Sequence, residues 1–196
     1  MGDTEEKYKI VMAGSGSVGK SCLTIRFLQD RFIQDYDPTV EETYKKMLVI
    51  DEKPVVLEIV DTAGQEEYRS VRDKYFKSAE AFVVVYSITS RSSFNEAEKI
   101  LLKIKQVKEN STTPIVMVGN KLDLESERII KREECEYLKK KYNLAFFESS
   151  AKNGKNVSIC FEEAVRMLRK NITKNKKKET TKEVSADSPN GCCTLL

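Results

Sequence analysis

The chain has 196 residues, 40% hydrophobic and 33% charged, the proportions of one ordinary globular domain with a charged surface. Only 8 Gly and 4 Pro exclude a collagen-like or low-complexity chain, and a histidine count of 0 excludes Ser-His triads and His-ligated zinc. The net charge is +3, from 34 basic and 31 acidic residues. Residues 170–196 hold six Lys and three acids, so residues 1–169 balance at 28 each. The body of the chain offers no basic bias toward nucleic acid; the positive charge gathers at the end.

The opening Met1-Gly2-Asp3-Thr4-Glu5-Glu6 is acidic and polar, unlike a signal peptide, and lacks the Ser or Thr that myristoylation favours at position 6. The longest apolar run, Ala81 to Tyr86, is too short to span a bilayer. Five cysteines, at 22, 135, 160, 192 and 193, form no CxxC pair. An odd count with no secretory signal reads as a reduced, cytosolic compartment.

In chain order, residues 8–14 predict a buried strand and 20–30 a helix, followed by a polar stretch at 31–42. Residues 43–50 and 55–61 predict an antiparallel hairpin around Asp51-Glu52-Lys53-Pro54, and 68–78 a short helix. Strict alternation follows: strand 81–87, helix 92–109, strand 115–119, helix 131–142, strand 145–149 and helix 156–170. Val157, Cys160, Phe161, Ala164, Val165 and Leu168 put one apolar face on that last helix. The pattern predicts an α/β fold: a six-stranded, mostly parallel sheet with one antiparallel hairpin and helices on both faces. Beyond Lys170 the apolar residues thin out, so 171–196 reads as a disordered, lysine-rich tail after a domain spanning 1–170.

Three of the eight glycines crowd into Gly14-Ser15-Gly16-Ser17-Val18-Gly19-Lys20-Ser21, between a strand and a helix. Backbone N–H groups ahead of a helix N-terminus make an anion site. The string fits the dinucleotide pattern G-x-G-x-x-G, but its Lys-Ser ending fits the more specific phosphate loop G-x-x-x-x-G-K-S. Lys20 can neutralise phosphate charge and the Ser21 hydroxyl can bind Mg²⁺. A dinucleotide site wants an acid at the end of the second strand, where Asp35-Tyr36-Asp37-Pro38 offers only a polar stretch.

The apolar run Val55–Val60 ends at Asp61-Thr62-Ala63-Gly64-Gln65. An acid at a strand tip beside a phosphate loop is the usual second Mg²⁺ element of P-loop enzymes. Gly64 can present an N–H to a γ-phosphate, and Gln65 can hold an attacking water. Strand 115–119 delivers Asn120-Lys121-Leu122-Asp123. One ionised carboxylate at Asp123 can accept both guanine N1–H and N2–H, whereas adenine opposes it with a lone pair. The Lys121 stem can cover the base and Asn120 can tie loops together. Ser149-Ser150-Ala151-Lys152 ends the last strand, where a backbone N–H can serve guanine O6.

The phosphate loop, Thr39, DTAGQ, NKLD and SAK, in this order, resemble the Ras superfamily of small GTPases over roughly residues 7–170. The resemblance implies a P-loop fold of the Ras-like G-domain type. It implies a signalling switch that binds GDP and GTP with Mg²⁺ and hydrolyses GTP to GDP and phosphate. It implies nucleotide contacts from Gly14 to Cys22, from Phe32, which stacks on the base, and from Tyr36, Pro38, Thr39, Asp61, Gly64, Asn120, Lys121, Asp123, Ser150, Ala151 and Lys152. Ser21 and Thr39 would hold Mg²⁺ directly and Asp61 through water, with Lys20, Thr39, Gly64 and Gln65 serving catalysis. Residues 34–42 would form the first switch and 62–78 the second. Tyr36 to Tyr44 is similar to the effector segment of the Ras/Rap branch, and Gln65 favours Ras over Rap. Ser17 departs from the family, which usually has Gly there.

The implied partners are an exchange factor, a GTPase-activating protein and an effector with a Ras-binding domain, with the chain itself a monomer. No arginine follows Arg31 in the first switch, so intrinsic hydrolysis should be slow until a partner supplies one. Cys193-Thr194-Leu195-Leu196 fits a prenylation box, with Leu196 favouring geranylgeranyl. Lys174, Lys176, Lys177, Lys178 and Lys182 give a second membrane signal, and Cys192 offers a palmitoylation site. This places the chain as a lipid-anchored protein on the cytoplasmic face of the plasma membrane. Two other functions compete: a small-metabolite kinase, whose lid arginines would be only Arg69 and Arg72, and a GTP-binding module that barely turns over.

Overall fold

A computed structural model of the chain describes residues 6–33, 41–62, 69–109 and 112–184. Strand β1 (Glu6–Ala13) leads into helix α1 (Lys20–Gln29). Strands β2 (Glu41–Ile50) and β3 (Lys53–Thr62) form the antiparallel hairpin, and helix α2 (Arg69–Ser78) follows. The rest alternates: β4 (Ala81–Ser87), α3 (Arg91–Val107), β5 (Ile115–Asn120), a 3₁₀ helix (Leu122–Glu127), α4 (Arg132–Tyr142), β6 (Ala145–Glu148) and α5 (Val157–Val184). The sheet order is β2-β3-β1-β4-β5-β6, with only β2 antiparallel to its neighbour. The predicted six-stranded architecture is the observed one.

The central strands read as unbroken apolar runs because both faces are covered. Every residue of β4 and β5 is buried. On one face Leu23 and Phe27 of α1 and Phe161, Val165 and Leu168 of α5 pack against Ile10, Met12, Leu57 and Ile59. Phe27 stacks on Phe161 with ring centroids 4.2 Å apart. On the other face Phe76, Phe94, Leu101 and Leu138 pack against Val11, Val60, Phe82 and Val84. Each such side chain contributes about 1.5–3 kcal/mol by leaving water. The edge strand β2 shows the alternation of a half-covered surface, with Met47 and Val49 exposed and Ile50 buried.

One expectation fails. Helix α5 does not stop at Lys170 but continues to Val184, through residues expected to be disordered. Composition argued for disorder, yet no Gly or Pro occurs between Gly154 and Pro189 to end the helix. The extension starts with tertiary help: Asn171 Nδ2 donates to the Thr112 carbonyl. No helix among the described residues is long and apolar enough to cross a membrane.

Because β1, β3, β4, β5 and β6 run parallel, the segments after Ala13, Thr62, Asn120 and Glu148 leave the same end of the sheet. Open parallel sheets bind ligands at that end. The topology thus gathers the four sequence motifs.

Candidate functional site

The loop after β1 passes tightly over the sheet. A Cβ at Gly14 would lie 2.2 Å from the Val85 carbonyl oxygen, and its φ of 150° disfavours a side chain. At Gly19, with φ of 91°, a Cβ would lie 2.5 Å from Asn120 Nδ2. Glycine at these two positions lets the loop descend between β4 and the end of β5. Gly16 meets nothing within 4 Å and faces the open side. Ser17 is exposed and holds a left-handed φ of 60°, a backbone shape that a glycine would take without penalty.

Lys20 opens α1 and is 6% exposed. Its ammonium turns back over the loop and donates to the carbonyls of Gly14 at 3.1 Å and Ser15 at 2.9 Å. Val18 and Ser21 are buried, and Ser15 and Cys22 half-buried. Burial, with the negative charge of Asp61, raises the Cys22 thiol pKa, and Lys121 opposes them.

Asp61, at the end of β3, is fully buried, and neither carboxylate oxygen has a hydrogen-bond partner. Burial pushes its pKa up to about 6, the Ser21 hydroxyl and Lys20 pull it down, and Glu42 adds to the rise. A buried carboxylate without a partner is costly unless a cation or donor meets it. An unsatisfied oxygen pair beside a serine hydroxyl suits a hard divalent cation such as Mg²⁺. Among the described residues no cluster of three or more His, Cys, Asp or Glu forms a self-contained metal cage. The donor set therefore fits an ion that keeps waters and takes phosphate oxygens. Thr62 is held apart from this chemistry, its hydroxyl donating to the Met12 carbonyl at 2.8 Å.

The loops after β5 and β6 are knitted together. Asn120, 2% exposed, donates from Nδ2 to the Val18 carbonyl at 2.9 Å. Its Oδ1 accepts the Ala151 N–H at 3.2 Å and the Ser149 hydroxyl at 3.4 Å. One side chain thus joins the phosphate loop, NKLD and SAK, as its place in the sequence suggested. The Ser150 hydroxyl donates to Asp123 Oδ1 at 2.5 Å and accepts the Asn153 N–H at 3.1 Å. The Leu122 N–H donates to the Ser149 carbonyl at 2.9 Å. Lys121 takes a left-handed φ of 70°, which turns the chain between Asn120 and Asp123. Ser150 and Ala151 are buried, Lys152 is exposed, and Phe32 is 37% exposed.

Ser149 and Asn153 complete this network although the motifs alone gave them no role. Their signal was adjacency to SAK and the ability of Ser and Asn to bond nearby backbone. Tyr36, Pro38 and Thr39 of the first switch, Gly64 and Gln65 of the second, and Cys192 and Cys193 of the terminus lie outside the described residues. Of the second switch, Thr62 and residues 69–78 are described, the latter as α2.

Comparison with known proteins gives this arrangement a context. Residues 9–170 match the model of the Ras family. The chain is 47% identical over 168 residues to Ras-like protein RAS2 of Hydra vulgaris, which covers 86% of this chain and 88% of that one. It is 42% identical over 192 residues to Ras-like protein rasB of Dictyostelium discoideum, covering 97% and 98%. Ras-like protein 1 of Saccharomyces cerevisiae is 45% identical over 185 residues, covering 92% of this chain but 60% of that longer one. With a family match over most of its length, the chain belongs to the Ras family, and it is a small GTPase that binds guanine nucleotides and hydrolyses GTP.

Proposed function

We propose that this GTPase is a Mg²⁺-dependent signalling switch whose GTP-bound form binds effectors through residues 34–44. The observation that supports the Mg²⁺ assignment is Asp61, a fully buried carboxylate with no hydrogen bond to either oxygen, beside Ser21 and Lys20. Ser21 and Thr39 would hold the ion directly and Asp61 through water, and the ion would neutralise charge on the β- and γ-phosphates. The N–H groups of Gly14 to Gly19 and the Lys20 ammonium bind the phosphates. Gly64 donates to the γ-phosphate, and Gln65 holds a water in line with the phosphorus. That water's oxygen bonds to phosphorus as the bond to the β-γ bridging oxygen breaks, and GDP leaves. Asp123, Lys121, Asn120, Ser150, Ala151, Lys152 and Phe32 hold the base.

An exchange factor and a GTPase-activating protein set the switch, the latter lending the arginine that the first switch lacks. Residues 1–170 form the GTPase domain. Residues 171–196 are a lysine-rich tether, and a geranylgeranyl group on Cys193 holds the protein to the cytoplasmic face of the plasma membrane.

Release of labelled GDP with and without EDTA tests the metal reading. Chelation should accelerate release in wild type and have little further effect in Asp61→Ala. Equal sensitivity of both proteins would remove Asp61 from the metal site. Gln65→Leu should keep nucleotide affinity near wild type while single-turnover hydrolysis falls steeply. A parallel loss of binding and rate would make Gln65 structural. Cys193→Ser should leave both activities intact and release the protein from the membrane fraction.

A further inference from the structure

We infer that Arg128 is a positioning residue for base recognition: it clamps the segment carrying Asp123 to the segment carrying Ser150, and so sharpens the preference for guanine over a purine lacking the 2-amino group. The inference rests on the reading of Asp123 as the acceptor for the base.

Arg128 immediately follows the 3₁₀ helix that contains Asp123. Its Nε and one terminal nitrogen donate to the two carboxylate oxygens of Glu125, at 3.0 and 2.6 Å. The other terminal nitrogen donates to Glu148 Oε1 at 2.6 Å and to the Ile130 carbonyl at 3.2 Å. The second Glu148 oxygen accepts from Arg132 Nε at 3.0 Å. Glu148 is the last residue of β6, so the next two residues are Ser149 and Ser150. Ser149 accepts from Leu122 and Ser150 donates to Asp123, and these two bonds close a ring through both loops. Asn156 Nδ2 fastens the same corner by donating to the Glu148 carbonyl at 2.8 Å.

Two features separate this network from an ordinary surface ion pair. The Arg128 and Glu148 side chains are only 15% and 11% exposed, so water screens them little. The planar guanidinium spans carboxylates on two different elements, a geometry that a lysine ammonium cannot reproduce. Stability alone is as well served by apolar packing at such a place, whereas a forked ion pair fixes relative orientation. The orientation that matters is that of the Asp123 carboxylate, which must face two N–H groups at once to distinguish guanine. None of the hydrogen bonds that close the ring involves Lys20, Ser21 or Asp61, and the ring reaches the phosphate loop only through Asn120, so hydrolysis of bound GTP should change little.

The test measures GDP and IDP affinity of the full-length wild type, Arg128→Ala, Arg128→Lys and Glu125→Gln; IDP lacks only the 2-amino group. Arg128→Ala should cut the GDP-over-IDP ratio about fivefold or more, the scale of coupling within a shared ion-pair network. Single-turnover hydrolysis of GTP already bound should stay at the wild-type rate. Arg128→Lys should not restore the ratio. Glu125→Gln, at a carboxylate 54% exposed, should shift it in the same direction, and it decides the question if Arg128→Ala fails to fold. Equal loss of affinity for both nucleotides would make the network purely structural and overturn the inference. A wild type that does not prefer GDP to IDP would instead overturn the Asp123 reading itself.

Discussion

The two ends of the site differ in how far the protein satisfies its own polar groups. At the base end, the Asn120 side chain has partners for both donor and acceptor atoms, and Ser150 and Asp123 are bonded to each other. At the phosphate end, Asp61 is buried with neither oxygen bonded, and the Lys20 ammonium rests on backbone carbonyls of its own loop. The end around Asn120 is thus satisfied by the chain itself, while the end around Asp61 stores an electrostatic penalty that a bound cation would relieve. Ligand binding should therefore stabilise the fold chiefly from the phosphate end.

The largest expected effect comes from removing that penalty. The Asp61 pKa is raised from 3.8 to about 6. Between those values the folded state binds more protons than the unfolded, so the group's contribution lowers stability as pH rises through that window. Above about pH 6 the penalty is complete, about 3 kcal/mol at 1.36 kcal/mol per unit. In protein stripped of nucleotide and Mg²⁺, Asp61→Asn should be more stable than wild type by roughly that amount at pH 7. The two should converge below about pH 4, where Asp61 is protonated in both states. Denaturant melts across pH 4–8 measure this. A mutant no more stable than wild type at pH 7 would mean that the two ends are equally satisfied.

The base end should respond in the opposite sense, with loss rather than relief. Asp123→Asn replaces an acceptor oxygen by an NH₂ that meets guanine N2–H donor to donor. Guanine affinity should fall by about 2–3 kcal/mol, the scale of leaving charged hydrogen-bond groups unpaired. Xanthine, with an oxygen at C2, should recover part of it. Competition between GDP and XDP gives both numbers, and unchanged GDP binding would remove Asp123 from the base site. The Ser150 hydroxyl also loses its carboxylate partner, so this mutant should melt no higher than wild type, unlike Asp61→Asn.

The contrast between the two ends was only half legible in the sequence. The mostly parallel sheet and the placing of the motifs after its strands followed from the apolar runs at 81–87 and 115–119 and from the phosphate-loop glycines, because buried parallel strands and tight turns leave local signatures; the strand order did not. That Asp61 stood at a strand tip was equally readable. That neither of its oxygens finds a donor was not, since satisfaction depends on atoms brought near by folding. The Arg128–Glu148 pair joins residues twenty apart with no spacing rule, so nothing local in the sequence marks it. Helix α5 runs on past Lys170 although that stretch is poor in apolar residues, because no helix breaker occurs before Pro189.

Gly19→Ala asks how independently the two ends behave. Gly19 belongs to the phosphate loop, yet its missing side chain makes room for Asn120 of the base end. An added Cβ would stand 2.5 Å from Asn120 Nδ2, on a backbone whose φ of 91° already disfavours alanine. Nδ2 is the atom that donates to the Val18 carbonyl, so displacing it breaks the direct bond between the phosphate loop and β5. The left-handed strain alone costs about 1–2 kcal/mol. If Asn120 shifts as a unit, its bonds to Ala151 and Ser149 loosen too, and the disturbance reaches the base. The GDP-over-IDP ratio should then fall modestly along with overall affinity. Loss of affinity at a constant ratio would show instead that Asn120 yields by rotating its amide, leaving the base end insulated from the phosphate end. Measuring both affinities in Gly19→Ala, alongside its melting temperature, decides between a shared frame and two separate pockets.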